Sequence, residues 1–328
     1  MIAADWQEVL RAAWRDLALH APLARLFRTR RLSIDLPLDA HAGLRAVDDA
    51  PCLVIDVQAP PDTLFEVAGM RLAHAPGDDG PLLVLSLEDP ARTDLFATVC
   101  ADAVQVTIGA QKTDALEFFL ARLDAWRRFL RERRAGLTRN ETVGLMGELV
   151  VLRRLVQADP QLLSTWSSPD DGLHDFACEG HALEVKSTMG PAAGLRISNL
   201  DQLDTSGLRR LDLLHVRMVE GPDGESLEDM IESIVRLLLP DAARRWFENA
   251  LLRRGLMPDD TAARSIPRAL IMSLTGFTVN ERFPRLVRRS MPAAVMEAEY
   301  LLELRAIDPL SIAADLVIDA FREGQSIE

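Results

Sequence analysis

Along the first hundred residues, short apolar runs alternate with turn-forming clusters. Cys52-Leu53-Val54-Ile55-Asp56-Val57, Leu82 to Leu87 and Leu95 to Val104 are rich in strand-type residues, and Pro60-Pro61 and Gly77-Asp78-Asp79-Gly80 break the chain between them. This pattern predicts a strand-rich N-terminal domain. From Asp114 to Arg134 the period becomes helical, with Leu116, Phe119, Leu120, Leu123, Trp126 and Leu130 on one side. Arg127, Arg128, Arg131, Arg133 and Arg134 crowd the end of that helix. Cations there either complement the helix dipole and solvate the surface or form a phosphate-contacting patch. Ala135-Gly136 marks a boundary, so residues 1–135 are expected to form a strand-rich domain ending in an Arg-rich helix, and residues 136–328 a second domain.

In that second domain Thr138 and Glu141 make a capping box that starts a helix running to about Gln157. Ser164 to Leu173 reads as loop. His174 to Cys178 and His181 to Met189 read as strands around Glu179-Gly180, followed by strand-like Arg196 to Ser198 and a half-buried strand from Leu211 to Val219. Ser198-Asn199-Leu200-Asp201-Gln202 is read as opening a helix. Leu227 to Arg254 predicts a long helix broken near Pro240, Arg268 to Leu274 and Tyr300 to Ala306 predict strands, and a final helix is expected after Ser311. The mixture predicts an α/β or α+β fold.

Composition narrows the function. At 328 residues there is room for two hydrophobic cores. No apolar run approaches the ~20 residues needed to cross a bilayer and no secretory leader is visible, so a soluble, cytoplasmic protein without a membrane partner is expected. Cys52, Cys100 and Cys178 are odd in number, far apart and without C-x-x-C spacing, which argues against a disulfide framework or a structural zinc site. The formal charge of −13 opposes indiscriminate binding to a polyanion, so any nucleic-acid contact has to be local or metal-assisted. Only Lys112 and Lys186 are lysines; every other cationic side chain of the Lys/Arg type is arginine. Lys112, in Gly109-Ala110-Gln111-Lys112-Thr113, lacks the glycines of a phosphate-binding loop.

Lys186 stands in a different setting. If Glu179-Gly180 is a two-residue turn, Cys178 pairs with His181, Ala177 with Ala182, Phe176 with Leu183 and Asp175 with Glu184. Two carboxylates then oppose each other with Cβ atoms only ~5 Å apart, which destabilises a sheet unless positive charge compensates. Lys186 lies two residues beyond Glu184 on the same face, ~7 Å along the strand. A magnesium ion, with manganese as a substitute, suits the hard oxygens of Asp175 and Glu184, and the Val185 carbonyl between the two side chains is an additional ligand. Such an ion could activate water for attack on a phosphodiester, with Lys186 positioning the water and stabilising developing charge. Glu148 lies on an apolar stripe with Leu145, Leu152 and Leu155 beside Gly144 and Gly147. It is either directed at the metal and its water shell or salt-bridged to Arg153 or Arg154.

E-x-K alone is a weak pattern, but these residues occur together with others. Gly147-Glu148-Leu149, Trp166 in the loop before His174-Asp175-Phe176, Leu183-Glu184-Val185-Lys186-Ser187-Thr188, and Asn199 to Leu203 with Gln202 resemble a bacterial family of PD-(D/E)XK, restriction-endonuclease-like proteins from restriction and phage-defence gene clusters. Arg282-Phe283-Pro284-Arg285-Leu286 and Tyr300-Leu301-Leu302-Glu303-Leu304 are similar to that family as well. The resemblance implies a restriction-endonuclease-like mixed sheet flanked by helices, preceded here by the strand-rich domain. It implies that Asp175, Glu184 and Lys186 are catalytic, with Glu148 and Gln202 in support. It also implies DNA as substrate and a DNA methyltransferase and an ATPase as partners. His174 departs from the family pattern, where proline precedes the aspartate.

Two rival readings stand beside this one. His174-Asp175 suggests an HD-type phosphohydrolase, but the helical histidines which that chemistry requires are missing: His181 and His215 fall on strand-like stretches, and His20, His41 and His74 lie far upstream. A catalytically silent nuclease fold acting as a DNA-binding or scaffolding subunit would suit the acidic surface.

Overall fold

The computed structural model describes residues 5–20, 25–132, 136–167, 172–239, 241–258 and 260–324. The chain divides into two compact units, residues 1–134 and 135–328.

In the first unit helix α1 (Trp6–Ala18) precedes strands β1 (Phe27–Arg31), β2 (Ala40–Arg45), β3 (Pro51–Asp56), β4 (Phe65–Val67), β5 (Met70–Pro76) and β6 (Pro81–Leu87), then helices α2 (Thr93–Gln105) and α3 (Ala115–Glu132). The strands form one antiparallel sheet in the order β1-β2-β3-β6-β5-β4. The expected strands at 52–57 and 82–87 are β3 and β6, but Leu95 to Val104 is helix α2. Asp89 accepts the N–H of Ala91 and Pro90 opens a 3-10 turn, which starts the chain helically. Phe96, Val99, Cys100, Ala103 and Val104 then bury at helical spacing. Helix α1 likewise lies in a stretch read mainly as strand; its Trp14 stacks on Phe96 at 5.5 Å and donates to the Cys52 carbonyl at 3.0 Å. Arg127 and Arg128 both pair with Asp124, so these two guanidinium groups of the Arg-rich end are already engaged. Arg133 and Arg134 lie outside the described residues. Cys52 and Cys100 are buried, Cys178 is half-buried, and all three are free thiols.

The second unit has the order α4 (Arg139–Ala158), β7 (Phe176–Cys178), β8 (His181–Met189), β9 (Gly194–Ile197), β10 (Arg210–Glu225), α5 (Leu227–Val235), α6 (Asp241–Arg253), α7 (Thr261–Arg264), β11 (Ala269–Thr278), β12 (Tyr300–Glu303), α8 (Leu304–Ile307), β13 (Ser311–Ala313) and α9 (Ala314–Glu323). Its five-stranded sheet runs β13-β11-β10-β8-β7. β8 and β10 are parallel and the other pairings antiparallel, so the sheet is mixed. This is the α/β architecture, with helices against a mixed sheet, expected of a restriction-endonuclease-like fold. β9 and β12 pair separately. The predicted long helix is two helices, α5 and α6, and Pro240 between them lies outside the described residues. The strand expected through Ala306 ends at Glu303. β10 is mostly buried on both faces from Leu211 to Val216 because it is a central strand, where a half-buried one was expected.

Helix α4 starts at the predicted capping box: Thr138 Oγ1 accepts the N–H of Glu141, and Glu141 Oε2 accepts the N–H of Thr138. Leu145, Leu149, Leu152 and Leu155 are buried against Leu183, Val185, Leu214 and Val216. At ~1.5–3 kcal/mol per buried leucine, this packing outweighs the ~1 kcal/mol that each of Gly144 and Gly147 costs the helix. The two glycines differ. A Cβ on Gly147 would lie 1.7 Å from Ser187 Oγ on β8, whereas one on Gly144 would meet nothing within 4 Å. Gly147 therefore sets how closely α4 approaches the sheet.

Gly147→Ala is expected to destabilise the protein by roughly 1–3 kcal/mol despite alanine's helix propensity, and Gly144→Ala to stabilise it by about 0.5–1 kcal/mol. Urea denaturation of the two variants checks this; equal effects would remove the close approach as a constraint.

Candidate active site

The hairpin at the edge of the second sheet follows the register expected from its turn. Phe176 pairs with Leu183, Ala177 with Ala182 and Cys178 with His181, and Glu179 and Gly180 both have positive φ, 45° and 81°, as a type I′ turn needs. The ladder stops one pair short of the expectation. Asp175 lies just outside β7, where its carbonyl accepts the N–H of Ser167 at 2.9 Å, and its Oδ2 accepts the N–H of Val185 at 2.7 Å. The carboxyl thus turns toward the β8 backbone instead of sitting as a simple cross-strand partner of Glu184. Backbone N–H and C=O of one strand residue point to the same side, so the Val185 carbonyl faces Asp175 too.

Leu183 and Val185 enter the core beneath α4, which sends Glu184 and Lys186 to the opposite face. Glu184 is 3% exposed and Lys186 Nζ lies 2.8 Å from its Oε1. Lys186 also donates to Gln202 Oε1 at 3.3 Å, and the same oxygen accepts the N–H of Ser198 at 2.8 Å. Gln202 is thereby oriented to present its oxygen to the lysine. The segment carrying it is a turn, and no helix opens there. Asn199 Oδ1 accepts the N–H groups of Asp201 and Gln202, and Arg288 holds Asp201 through two contacts of 2.6 and 2.7 Å. These side-chain bonds satisfy locally the donors that a helix would have used.

Glu148 reaches the same region from α4, but not with the partner expected from its neighbours in sequence. Arg153 pairs with Glu225 and Arg154 with Asp315. Glu148 Oε2 instead accepts from Trp166 Nε1 at 2.8 Å and from Arg254 Nε at 2.8 Å. Arg254, missed in the sequence, is 6% exposed and its guanidinium carbon sits 3.6 Å from the Trp166 ring centroid. The signal that could have found it is the demand of a half-buried glutamate on an apolar stripe for a cation, which a distant element supplies. A cavity of about 300 Å³ opens beside these groups, lined by Glu148, Ser167, His174, Asp175, Asn199 and Arg254 among others.

The electrostatics separate these carboxyls from an ordinary buried acid. Burial, then the neighbouring Glu184 and Glu148 carboxylates, push Asp175 well above the usual aspartate range, against the bond from Val185. The residue keeps some exposed surface, but its carboxyl is deep among protein atoms. Burial also raises Glu184, against the pull of Lys186. Asp212, 0% exposed, shows the contrast: burial would raise it, but bonds from His181, Arg210 and Thr278 hold it below the usual range. His181 is thus a structural strand residue. Burial lowers His174, whose Nε2 donates to the Gln202 carbonyl at 3.1 Å, and burial brings His215, bonded to Thr188, to about 4.

Among the described residues, the trio of ligand-type side chains whose atoms all lie within 4.8 Å of one another is Asp39, His41 and Asp56 in the first unit. Asp175, Glu184 and Glu148 are not gathered that tightly. His41 was passed over in the sequence because β2 and β3 alone bring it to Asp56, 3.0 Å away. Among the described residues, no helix is long and apolar enough to cross a membrane.

Residues 10–305 match the family described as "Putative PD-(D/E)XK family member" (DUF4420). The chain belongs to this family. The match spans both units and contains every residue of the candidate site, from Glu148 to Arg254. Neither curated proteins nor solved structures give a match to the chain. Membership of a PD-(D/E)XK family points to nuclease chemistry.

An acid with a raised folded-state pKa keeps its proton when the unfolded chain has lost it, so stability falls as pH rises above the ordinary aspartate value. Asp175→Asn, which cannot ionise but can still accept from Val185, is expected to melt higher than wild type in chelator. The gap should widen from pH 5 to pH 8, by about 2–4 °C per kcal/mol of repulsion removed. Parallel melting curves at both pH values would show that Asp175 carries no such strain.

Proposed function

We propose that the second unit is a divalent-metal-dependent nuclease that hydrolyses DNA phosphodiester bonds, with Asp175, Glu184 and Lys186 as its catalytic residues. The observation that carries this reading is geometric: Glu184, 3% exposed, lies beside the enclosed carboxyl of Asp175 with Lys186 Nζ 2.8 Å from its Oε1, and burial pushes both acids above the ordinary carboxylate range. Natural sites of this kind are relieved by a cation. The donor set fits a hard divalent ion: carboxylate oxygens of Asp175 and Glu184 with the Val185 carbonyl would hold magnesium or manganese, with Glu148 near its water shell. When bound, such an ion would polarise a phosphodiester oxygen and lower the pKa of water.

The chain's own residues supply the rest. Lys186, steered by Gln202 and Glu184, holds an ammonium group where charge grows on the phosphate and orients the attacking water. The Val185 N–H aims Asp175. Glu148, fixed by Trp166 and Arg254, adds negative potential beside Asp175. DNA as the polymer, a restriction or phage-defence setting, and methyltransferase and ATPase partners are supported by the family resemblance.

A second reading has its own observation: Glu184 is already paired with Lys186 and Glu148 with Arg254, an arrangement partly neutralised without an ion. A silent DNA-binding or scaffolding subunit would look like this.

Plasmid and phage DNA incubated with purified protein and magnesium, manganese or chelator separate the two. The nuclease reading expects metal-dependent cutting that falls at least 100-fold in Lys186→Ala and Glu184→Ala. No cutting, together with no thermal stabilisation by either ion, favours the silent subunit.

A further inference from the structure

Arg254 has more hydrogen-bonding capacity than its ion pair uses. Its guanidinium donates once to Glu148 through Nε and once to the Ser167 carbonyl through Nη2, while Nη1 is buried and has no hydrogen-bond partner among the described residues. A guanidinium serving only as the counter-ion of Glu148 would engage that carboxylate through two nitrogens, as Arg153 does with Glu225. Here the guanidinium instead lies over the Trp166 ring, with Glu148 and Ser167 accepting from one side of it. A buried N–H left without a partner costs stability, and native proteins rarely keep one without a use. The side chain lines the cavity of about 300 Å³ that also contains Asp175, His174 and Asn199. That volume is at the small end of ligand pockets.

We infer that this cavity is the phosphate pocket of the site, in which the guanidinium of Arg254, with a donor still unpartnered, receives a phosphate group of the substrate strand. The planar fork of arginine matches phosphate oxygens better than a lysine would. Stacking on Trp166 fixes the fork in advance, so little freedom is lost when the anion arrives. The pocket shares Asp175 with the proposed catalytic group, so a strand seated there has its scissile bond beside it. Glu148 has a double part: it orients Arg254 and competes with the incoming phosphate for its charge. This assignment rests on the nuclease reading for the identity of the polymer, but not for the anion chemistry of the pocket.

The test is the affinity of a short duplex with 5′-hydroxyl ends, measured by fluorescence anisotropy in chelator over a series of salt concentrations. Wild type is compared with Glu148→Gln and with the double variant Glu148→Gln/Arg254→Gln, which removes Arg254 without stranding the Glu148 charge and is checked for folding by its melting curve. The double variant is expected to bind about tenfold more weakly, with its salt slope reduced by about 1. Glu148→Gln, which removes the competitor, is expected to bind at least as tightly as wild type. A folded double variant with unchanged affinity and slope overturns the inference, even if wild type cuts DNA with metal. If wild type binds no duplex, stabilisation by inorganic phosphate decides. A thermal shift in wild type that is lost in the double variant keeps the pocket while the nuclease reading fails, and equal shifts in both overturn the pocket.

Discussion

Three carboxyl groups meet at one edge of the second sheet, and the fold around them is organised by the need to keep them there out of water. A buried carboxylate without compensation is among the costliest features a protein can hold. Each of the three is handled differently: Glu184 by Lys186 on its own strand, Glu148 by Trp166 and Arg254, and Asp175 by the Val185 N–H with Lys186 acting at longer range. Asp175 has the fewest direct partners, and burial with the neighbouring carboxylates pushes it well above the usual aspartate range. Asp212 in the same sheet has three donors and ionises readily. The difference between these two aspartates is one of partners, since both are buried.

Placing those groups takes several elements acting together. The type I′ turn sets the hairpin register, and the end of β7 at Phe176 frees the Val185 N–H for Asp175. Gly147 lets α4 come close to β8 so that Glu148 arrives at the same edge. The segment from 199 to 202 is shaped by Asn199 and secured by Arg288, bringing Gln202 to the lysine. None of these contacts is strong in isolation. Their effect comes from over-determination, in which each side chain is oriented by at least one neighbour that is itself held.

The first unit obeys the same rules. Its α1 and α2 pack through Trp14 and Phe96, and Asp102 accepts from both Arg122 and Trp126 at 2.6 Å, joining α2 to α3. Its Asp39, His41 and Asp56 cluster is created by adjacent strands, and Arg31 takes part of the Asp39 charge.

Local chemistry was legible in the sequence. The capping box of α4, the hairpin turn, the two strands around it and the alternation that puts Glu184 and Lys186 on one face depend on residues within a few positions of one another, so propensity and spacing decide them. The helix of residues 93–105 was misread because a short apolar run bounded by proline has no period long enough to separate strand from helix. The partners of Glu148 and Asp175 were beyond the sequence for a deeper reason. Arg153 and Arg154 are near Glu148 in the chain, but burial selects whichever cation the packed core delivers, and the turn after α6 delivers Arg254 more than 100 positions away. Sequence determined which groups are charged and which face they occupy; tertiary packing decided how far each is taken out of water and what it meets there, because desolvation and ion pairing act through space and not along the chain.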